Sequence, residues 1–288
     1  MARIRVGTSG WTYPPWRGRF YPKGLVQKRE LEYASRNLTA LEINGTFYGL
    51  QKPASFQSWY DQAPDDFVFS VKAPQFMTHV LRLKNCFEPL CNFMASGVLC
   101  LKEKLGPFLW QVPPNVTLKD DRFEIFVKSL PHTTEQTAAL AEQHGPKVKG
   151  RAWTEADANR KVRHAFEFRH PSFQNADFIE MLRAHDVGVV FADSGKKSPY
   201  MEDLTSDFVY MRMHAEKAAY TKGHTEKALN ALVERVDLWT KGKQPKDAQL
   251  VSPDGKPVKT KRDVFVFFDN EVKENAPLDA LRLIEKLG

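Results

Sequence analysis

The amino-acid sequence predicts an α/β protein folded as one (β/α)8 barrel. Short apolar, strand-like segments alternate with longer helical or loop segments, an alternation typical of parallel βα units. Eight strand-like segments occur, and a helical segment follows the last, which is the count of a closed barrel. An open doubly wound sheet is the competing architecture, but the run Gly7–Gly10 is too short for its usual glycine-rich phosphate loop. We therefore predict a single barrel domain over residues 1–288.

The predicted strands are short and rich in β-branched and aromatic residues. In chain order they are Ile4–Val6, Ala40–Ile43, Phe67–Val71, Phe108–Gln111, Ala165–Phe168, Val187–Phe191, Phe208–Met211 and Val264–Phe268. Among the helices, Thr225–Thr240 carries its apolar residues in one stripe. The last helix is expected to begin around Asn275–Pro277, with the asparagine as its cap and the proline in its first turn.

Two segments look like additions to the plain βα pattern. Residues Pro131–Arg163 are charged and predict a helical insert of two helices. Residues Lys241–Arg262 contain six lysines, one arginine and two aspartates, a formal net charge of +5. This second segment is either a solvated surface insert or a basic flap that approaches phosphates.

The composition also indicates a compartment. No apolar run approaches the roughly 18 residues that a membrane helix needs, and the N-terminus shows no hydrophobic leader. Cys86, Cys91 and Cys100 are odd in number and lack metal-ligand spacing, which favours reduced, buried thiols. These observations predict a cytoplasmic protein that does not associate with membranes; they leave its oligomeric state open.

Polar residues share one side-chain parity at the ends of several predicted strands. Side chains alternate between the two faces of a strand, so Glu42 lies on the face opposite Leu41, and Arg212 on the face opposite Met211. The apolar set is expected to pack outward on the helices, leaving the polar set to converge on the barrel mouth, where active sites of this fold lie. The expected members are Ser9, Trp11, Glu42, Asn44, Lys72, Gln111, Glu167, Arg169, Asp193, Arg212, His214 and Asn270.

Such a ring of charges has two interpretations. Charged groups inside a barrel cost several kcal/mol each unless they are paired or bound to a ligand, so stability alone does not require them. The first interpretation is therefore a functional site. The second is a structural ion-pair network that plugs the barrel.

These same positions carry a resemblance to a known family. The chain resembles the YecE-like family, barrel proteins of unknown function, over nearly its whole length. The matching runs are Val6–Trp11 with Tyr21-Pro22, Glu42–Asn44 with Thr46–Tyr48, Lys72–Pro74 with Thr78-His79, Leu105–Pro107, Gln111–Pro114, Glu167–Ser172, Ala192-Asp193, Arg212–His214 and Phe268–Asn270. Two positions depart from the family pattern: Ala215 replaces a common glycine, and Asp269 a usual asparagine. The resemblance implies a fold similar to xylose isomerases and endonuclease IV-type nucleases, but not their function.

The leading functional hypothesis is an enzyme, such as a hydrolase or isomerase, acting on a phosphorylated or other anionic substrate. Arginine and lysine at the mouth would bind the anion, and acids or histidines would transfer protons. The candidate catalytic residues are Glu42, Glu167, Asp193 and His214. The candidate substrate-binding residues are Ser9, Trp11, Asn44, Tyr48, Lys72, His79, Gln111, Arg169, His170, Arg212 and Asn270.

Three alternatives stay open. A divalent metal is conceivable because Glu42, Glu167, Asp193 and His214 offer oxygen and nitrogen ligands, although the neighbouring cations oppose it. A nucleic-acid-binding protein or nuclease would use the basic insert and aromatic residues near the mouth, namely Trp11, Tyr13, Trp16, Tyr21, Phe47 and Tyr48. A non-catalytic ligand-binding protein is the third.

Overall fold

The predicted barrel is present. A computed structural model describes residues 2–194, 198–214, 223–257, 260–269 and 273–288. Its eight parallel strands close in chain order, and β1 pairs with β8. The strands are β1 (Ile4–Ser9), β2 (Ala40–Ile43), β3 (Val68–Lys72), β4 (Leu105–Val112), β5 (His164–Phe168), β6 (Gly188–Asp193), β7 (Phe208–Met213) and β8 (Asp263–Phe268). All eight predicted strands are confirmed, with differences only at their ends.

The helices follow the strands in most of the βα units. They are α1 (Glu30–Asn37), α2 (Gly45–Tyr48), α3 (Pro53–Gln62), α4 (Phe87–Met94), α5 (Arg122–Lys128), α6 (Thr134–Glu142), α7 (Ala176–Ala184), α8 (Glu226–Thr240) and α9 (Ala276–Leu287). The predicted stripe of α8 is confirmed, and Thr225 caps the helix by accepting a hydrogen bond from the backbone N–H of Ala228. In α9, Pro277 lies in the first turn as predicted, but the Asn275 side chain makes no capping hydrogen bond to the helix.

The alternation of side chains along the strands separates two apolar cores. The larger lies between the barrel and its helices and contains outward-facing residues such as Leu41, Trp110 and Phe166. The smaller fills the barrel interior. Its members are Ala40, Leu109, Ala165, Val190, Ala192, Phe208, Tyr210, Phe265 and Phe267. The middle of the interior is therefore mostly apolar, with the Ser70 and Tyr210 hydroxyls bonded to each other within it, and the charged side chains of the same parity lie above it at the strand ends, apart from Arg5 at the opposite end.

A close contact between β1 and β2 aligns the first members of this polar layer. A Cβ atom at Gly7 would lie 1.8 Å from the carbonyl oxygen of Ala40, so only glycine fits there. The same pairing sets Ser9 beside Glu42. The β1 glycine thus allows a serine hydroxyl to reach a carboxylate on the neighbouring strand.

The insert at residues 131–163 differs from the prediction of two helices. It contains one α-helix, α6, followed by a single 3-10 turn at Pro146–Val148. The later part runs back extended, because the backbone N–H of Thr134 donates to the carbonyl of Arg160 and the Thr134 hydroxyl donates to that of Ala158. These bonds at the start of α6 hold the returning chain in place of a second helix.

The basic insert at residues 241–262 is anchored rather than loosely solvated over the part that precedes Pro253. Two buried acids ahead of β7 hold it: Asp203 accepts hydrogen bonds from the backbone N–H groups of Val251 and Ser252, and Glu202 accepts from that of Gln249. Val258 and Lys259 lie outside the described residues. The flap interpretation therefore concerns only the second half of the segment.

The remaining compositional expectations concern the thiols and the membrane. All three cysteines are buried and form no disulfide. Burial raises the pKa of Cys86 to about 12 and that of Cys100 to about 11. Among the described residues, no helix combines the length and the apolar character needed to cross a membrane.

Candidate functional site

The polar layer at the C-terminal ends of the strands is centred on Arg212. This residue is fully buried near the end of β7, and its guanidinium contacts three carboxylates. Its Nε and Nη2 atoms donate to Glu42 at 3.1 and 2.9 Å, Nη1 donates to Glu167, and Nη2 also donates to Asp269 at 2.7 Å. The guanidinium is thus already engaged on every side. This geometry favours a positioning role for Arg212 over the predicted binding of a substrate anion.

Glu42 is equally enclosed. Its Oε1 atom accepts from the Ser9 hydroxyl and from Arg212, and its Oε2 atom accepts from Arg212 and from the Tyr210 hydroxyl at 2.8 Å. The Tyr210 hydroxyl also lies 2.7 Å from that of Ser70. Because both carboxylate oxygens of Glu42 are occupied and the residue is fully buried, Glu42 fits a positioning role better than the predicted catalytic one.

Glu167 lies on the side of the network that faces the mouth. Its Oε1 atom accepts from Gln111 and from the Nε atom of Arg169, both at 3.1 Å. Burial alone would raise its pKa, but Arg212, His214 and Arg169 together hold that pKa well below its usual range. Glu167 is therefore a carboxylate at neutral pH and a weak base, which suits it to orient a neighbouring base and not to act as an acid.

His214 bridges two of the carboxylates. Its Nε2 atom lies 3.4 Å from Glu167, and its Nδ1 atom lies 3.4 Å from Asp269. The side chain retains 13% of its exposure, whereas Arg212 retains none. The same Nε2 atom lies 3.2 Å from the Nη1 atom of Arg212, so the imidazole, partly open to solvent, is itself part of the arginine network.

Lys72 is the unusual cation of the layer. It ends β3 with 8% exposure, and its Nζ atom lies 4.3 Å from the ring centroid of Phe47. The amine makes no hydrogen bond or ion pair with any residue in the described ranges. Burial and then the charge of Arg212 lower the pKa of Lys72 to about 8, against the opposing effect of Glu42, Glu167 and Asp269. Roughly a fifth of this amine is therefore neutral near physiological pH, and the rest is cationic.

Two further predicted residues complete the cationic side. Arg169 follows β5 and is 36% exposed; its Nε atom donates to Glu167, and its two terminal nitrogens contact no acceptor among the described residues. His79 lies close by, since its ring packs edge-on against the Phe47 ring on which Lys72 rests, with ring centroids 5.1 Å apart. Its Nδ1 atom is 2.9 Å from the Thr78 hydroxyl. Burial first, and then the charges of Lys72 and Arg169, lower the pKa of His79, so this edge of the mouth carries the positive charges of Lys72 and Arg169 and a neutral imidazole.

The other predicted binding residues divide into two groups. The Oδ1 atom of Asn44 is buried without a hydrogen-bond partner in the described structure, so it can accept a bond from a ligand. Tyr48 is 77% exposed and lines, with Phe47 and Phe76, an apolar groove of about 620 Å³ beside the mouth. His170 instead serves its own turn, because its Nδ1 atom accepts from the backbone N–H of Ser172.

Two predicted site residues do not join the layer, and a third cannot be placed because it lies outside the described residues. Asp193 is exposed, since the alternation of β6 that turns Ala192 inward turns Asp193 out of the interior. Trp11 packs edge-on against Trp59 of α3, with ring centroids 5.7 Å apart, and contacts none of the network carboxylates. Asn270 lies outside the described residues, as does Ala215.

The four residues proposed as metal ligands do not converge on one point in this geometry. Of the four proposed ligands, Asp193 is separate, and Glu42 and Glu167 direct oxygens at Arg212. Over the described ranges, no group of three or more His, Cys, Asp or Glu side chains is arranged to hold a metal ion.

The aromatic residues proposed for base stacking are mostly internal. Trp16, Tyr21 and Phe47 are buried, and Tyr48 is the exposed member of the six. Trp11 and Tyr13 are partly buried, so Tyr48 is the ring of these six that is open to base stacking. Trp16 and Tyr21 belong to a cluster with Phe20 that packs the loop after β1 against the barrel.

The comparisons with known proteins agree with this architecture. Residues 5–288 match the family described as "Protein of unknown function DUF72". The chain belongs to the DUF72 family. The predicted resemblance to YecE-like proteins is thus confirmed. This DUF72 protein is 29% identical over 110 residues to UPF0759 protein YecE of Escherichia coli K12, and 27% identical over 116 residues to UPF0759 protein YunF of Bacillus subtilis. These alignments span 38% of this chain and 38% and 40% of the two relatives.

Two solved structures share the fold. A DUF72 family protein of Thermotoga maritima has a TM-score of 0.72 at 24% identity, with 99% of both chains covered. One from Enterococcus faecalis has a TM-score of 0.64 at 17% identity, covering 100% of this chain and 98% of that one. At these identities the likeness supports the barrel alone.

Two residues of the site escaped the sequence reasoning. Tyr210 shares its parity on β7 with Arg212, so the same alternation could have placed it below the carboxylates. Asp269 was noted only as a departure from the family pattern, yet it supplies the third carboxylate on Arg212. Its position one residue beyond β8, next to the predicted Asn270, was the available signal.

Proposed function

We propose that this DUF72 protein is an enzyme that binds a small phosphorylated or other anionic substrate at the barrel mouth and transforms it by acid–base chemistry. One observation carries the proposal: the Lys72 amine and the two terminal nitrogens of Arg169 have no acceptor among the described residues, although Arg169 donates to Glu167 through its Nε atom and three carboxylates surround Arg212 nearby. In a cation committed to structure, as Arg212 is, every nitrogen would be bonded. Unpaired donors at the strand ends of a barrel are suited to a ligand.

The proposed roles follow from which atoms remain available. The terminal nitrogens of Arg169 match the two oxygens of a carboxylate or phosphate, and Lys72 and His79 add donors on the same edge. Asn44 offers its unpartnered Oδ1 atom to a hydroxyl or amide of the substrate. Glu42, Ser9 and Tyr210 hold Arg212, which in turn orients Glu167.

Proton transfer is assigned to His214, with Glu167 and Asp269 as its partners. The imidazole is within 3.4 Å of both carboxylates and keeps contact with solvent. A carboxylate beside the ring stabilises the imidazolium that forms when His214 accepts a proton. Isomerisation or hydrolysis of the bound anion would each need such a group.

The test measures binding of inorganic phosphate to the whole chain by isothermal titration calorimetry. Arg169→Gln is expected to weaken it about tenfold or more, because a charge-assisted bidentate contact contributes ~1.5–3 kcal/mol. Arg160→Gln is the matched control, since Arg160 is 33% exposed, is also paired with a carboxylate and lies outside the mouth. Equal affinities for the two variants would refute the proposal.

Catalysis is tested separately with a panel of phosphate esters and carboxylates. Turnover that is lost in His214→Gln while phosphate binding persists supports the enzyme. Binding without turnover of any compound favours the non-catalytic alternative. Nucleic-acid binding through the basic insert stays a distinct prediction; its sign would be affinity that falls steeply with salt and requires residues 253–262.

We also propose a cytoplasmic location. Its support is the state of the three cysteines, which are buried and unpaired, as is usual in a reducing compartment.

A further inference from the structure

We propose that Lys72 is a nucleophile that forms an imine with the carbonyl carbon of a small anionic aldehyde or ketone. The inference deepens the proposed function and rests on it in one respect: Arg169 would hold the anionic group of the same compound. It assigns a substrate class, anionic carbonyl compounds, which acid–base chemistry alone does not specify.

The first support is the surroundings of the amine. Lys72 faces the barrel interior at the end of β3, is nearly fully buried, and rests over the Phe47 ring. Glu42, Glu167 and Asp269 act on it only through their charges: each directs at least one oxygen to Arg212, and the other oxygen of Glu167 accepts from Gln111 and Arg169. No donor or acceptor in the described structure forms a hydrogen bond with this amine, so its lone pair is available when the amine is neutral.

A second buried lysine shows what a structural lysine looks like in this chain. Lys104 is 2% exposed, and its Nζ atom donates to the carbonyl oxygens of Tyr60 and Ala63, both at 2.8 Å. Its Nζ atom also lies over the Tyr60 ring. Lys72 shares the burial and the aromatic contact but lacks the two hydrogen bonds. The missing hydrogen bonds therefore distinguish Lys72 as the functional lysine of the two.

The chemistry is complete with the groups at hand. The neutral amine attacks the carbonyl carbon, the C=O π electron pair moves to the oxygen, and a proton passes from the nitrogen to that oxygen to give the carbinolamine. The carbinolamine hydroxyl is protonated and leaves as water while the nitrogen lone pair forms the C=N bond, which gives the protonated imine; loss of the remaining N–H proton gives the neutral imine. One water is released, and no oxidant or reductant takes part. His214, beside Glu167 and Asp269, can carry the proton between these steps.

Burial prepares the amine for this attack. Desolvation and then Arg212 lower the pKa of Lys72 to about 8, so the neutral form is abundant at pH 7.5. A lysine of ordinary pKa holds about a thousandth of its amine neutral at that pH. After allowance for its weaker basicity, Lys72 should react about tenfold or more faster than such a lysine.

The experiment uses pyridoxal 5′-phosphate, a phosphorylated aldehyde, at limiting concentration with the full chain at pH 7.5. Borohydride reduction traps the imine, and peptide mass spectrometry locates it. The adduct is expected on Lys72 in preference to the exposed lysines, and not on Lys104. Lys72→Arg should abolish the imine absorbance, whereas Lys104→Arg, where it folds, should keep it. The wild-type peptide map decides the question even if a variant fails to fold.

Separate outcomes identify which idea fails. Adducts confined to exposed lysines, with Lys72 unmodified, overturn the imine proposal whatever the phosphate affinity. Modification of Lys72 that inorganic phosphate suppresses, and that Arg169→Gln slows, supports both the nucleophile and the anion site. Modification of Lys72 that is indifferent to phosphate and to Arg169→Gln supports the nucleophile and overturns the anionic substrate class.

Discussion

At the scale of single residues, Arg212 is the charge on which the site depends. Three carboxylates share one guanidinium, so the buried group carries more negative than positive charge before Lys72 and Arg169 are added. Desolvated carboxylates are tolerable only while their hydrogen-bond donors remain in place. The arginine is therefore required by the fold as well as by the site.

The first prediction is that Arg212→Met lowers the free energy of unfolding by about 3–5 kcal/mol, because it leaves buried carboxylates without their cation. Urea denaturation measures the change. Arg169→Gln, at a partly exposed position, should cost less than about 1 kcal/mol. If the two variants were equally stable, the central role of Arg212 would be wrong.

The second prediction concerns the extra carboxylate at the mouth. Asp269→Asn removes a negative charge that opposes an incoming anion while keeping an oxygen for Arg212. We expect phosphate affinity to rise by about threefold to tenfold, a change of ~1 kcal/mol for one partly screened charge. Calorimetry measures it. Asp193→Asn is the matched control, because Asp193 ends a neighbouring strand but is exposed and separate from the network. Unchanged affinity in Asp269→Asn would contradict the assigned electrostatics.

At the scale of elements, β5 carries a buried histidine away from the site. The Nδ1 atom of His164 accepts a hydrogen bond from the Trp110 indole, and its Nε2 atom lies 2.7 Å from the carbonyl of Pro131. Burial lowers the pKa of His164 to about 3. The ring is therefore neutral in the fold and bound to both β4 and the start of the helical insert.

The third prediction is a specific acid sensitivity. Between pH 6.5 and about 3 the unfolded chain protonates His164 and the folded chain does not, so stability is full above pH 6.5 and falls as the pH drops. This one group contributes a slope of about 1.4 kcal/mol per pH unit. His164→Gln should remove that slope from urea denaturation series, whatever its effect at pH 7.5. An identical slope in both proteins would show that His164 titrates normally.

The fourth prediction concerns the basic insert. Asp203→Asn replaces a double acceptor with a group that cannot accept from Val251 and Ser252 equally well, so the insert should open locally. Trypsin should cleave near Lys246 about tenfold faster, for a local loss of ~1.4 kcal/mol. Asp247→Asn is the control, since Asp247 is exposed and pairs only with Arg235 among the described residues. Equal cleavage of both variants would show that the anchor is dispensable.

The periodicity of apolar residues predicted the strands and helices well, but the contacts between them less well. Strands such as Ala40–Ile43 were evident because both faces are buried and the residues are apolar or β-branched. The second helix of the 131–163 insert was wrong, since charge pattern cannot reveal that the chain around Ala158 and Arg160 returns to cap α6. The prediction that Asp193 faces the barrel mouth was wrong, because the sequence did not show which residues at the end of β6 point inward.

At the scale of the whole molecule, the alternation of side chains along the strands was enough to predict most residues of the site. Glu42, Lys72, Glu167 and Arg212 converge because barrel closure gives inward-facing strand ends a common position. This alternation could not show which of the buried cations would have acceptors for all of its N–H groups. That distinction between Arg212 and Lys72 depends on side-chain distances across β2, β7 and β8.

The apolar filling of the barrel determines from which side a ligand reaches the site. Phe208, Phe265 and Phe267, with Leu109 and Val190, occupy the interior beneath Tyr210. Among the described residues, these side chains close the interior beneath the charged layer, so a ligand reaches that layer from the C-terminal ends of the strands. A substrate bound there would cover the layer, and a water molecule released beneath it would leave before or with the product.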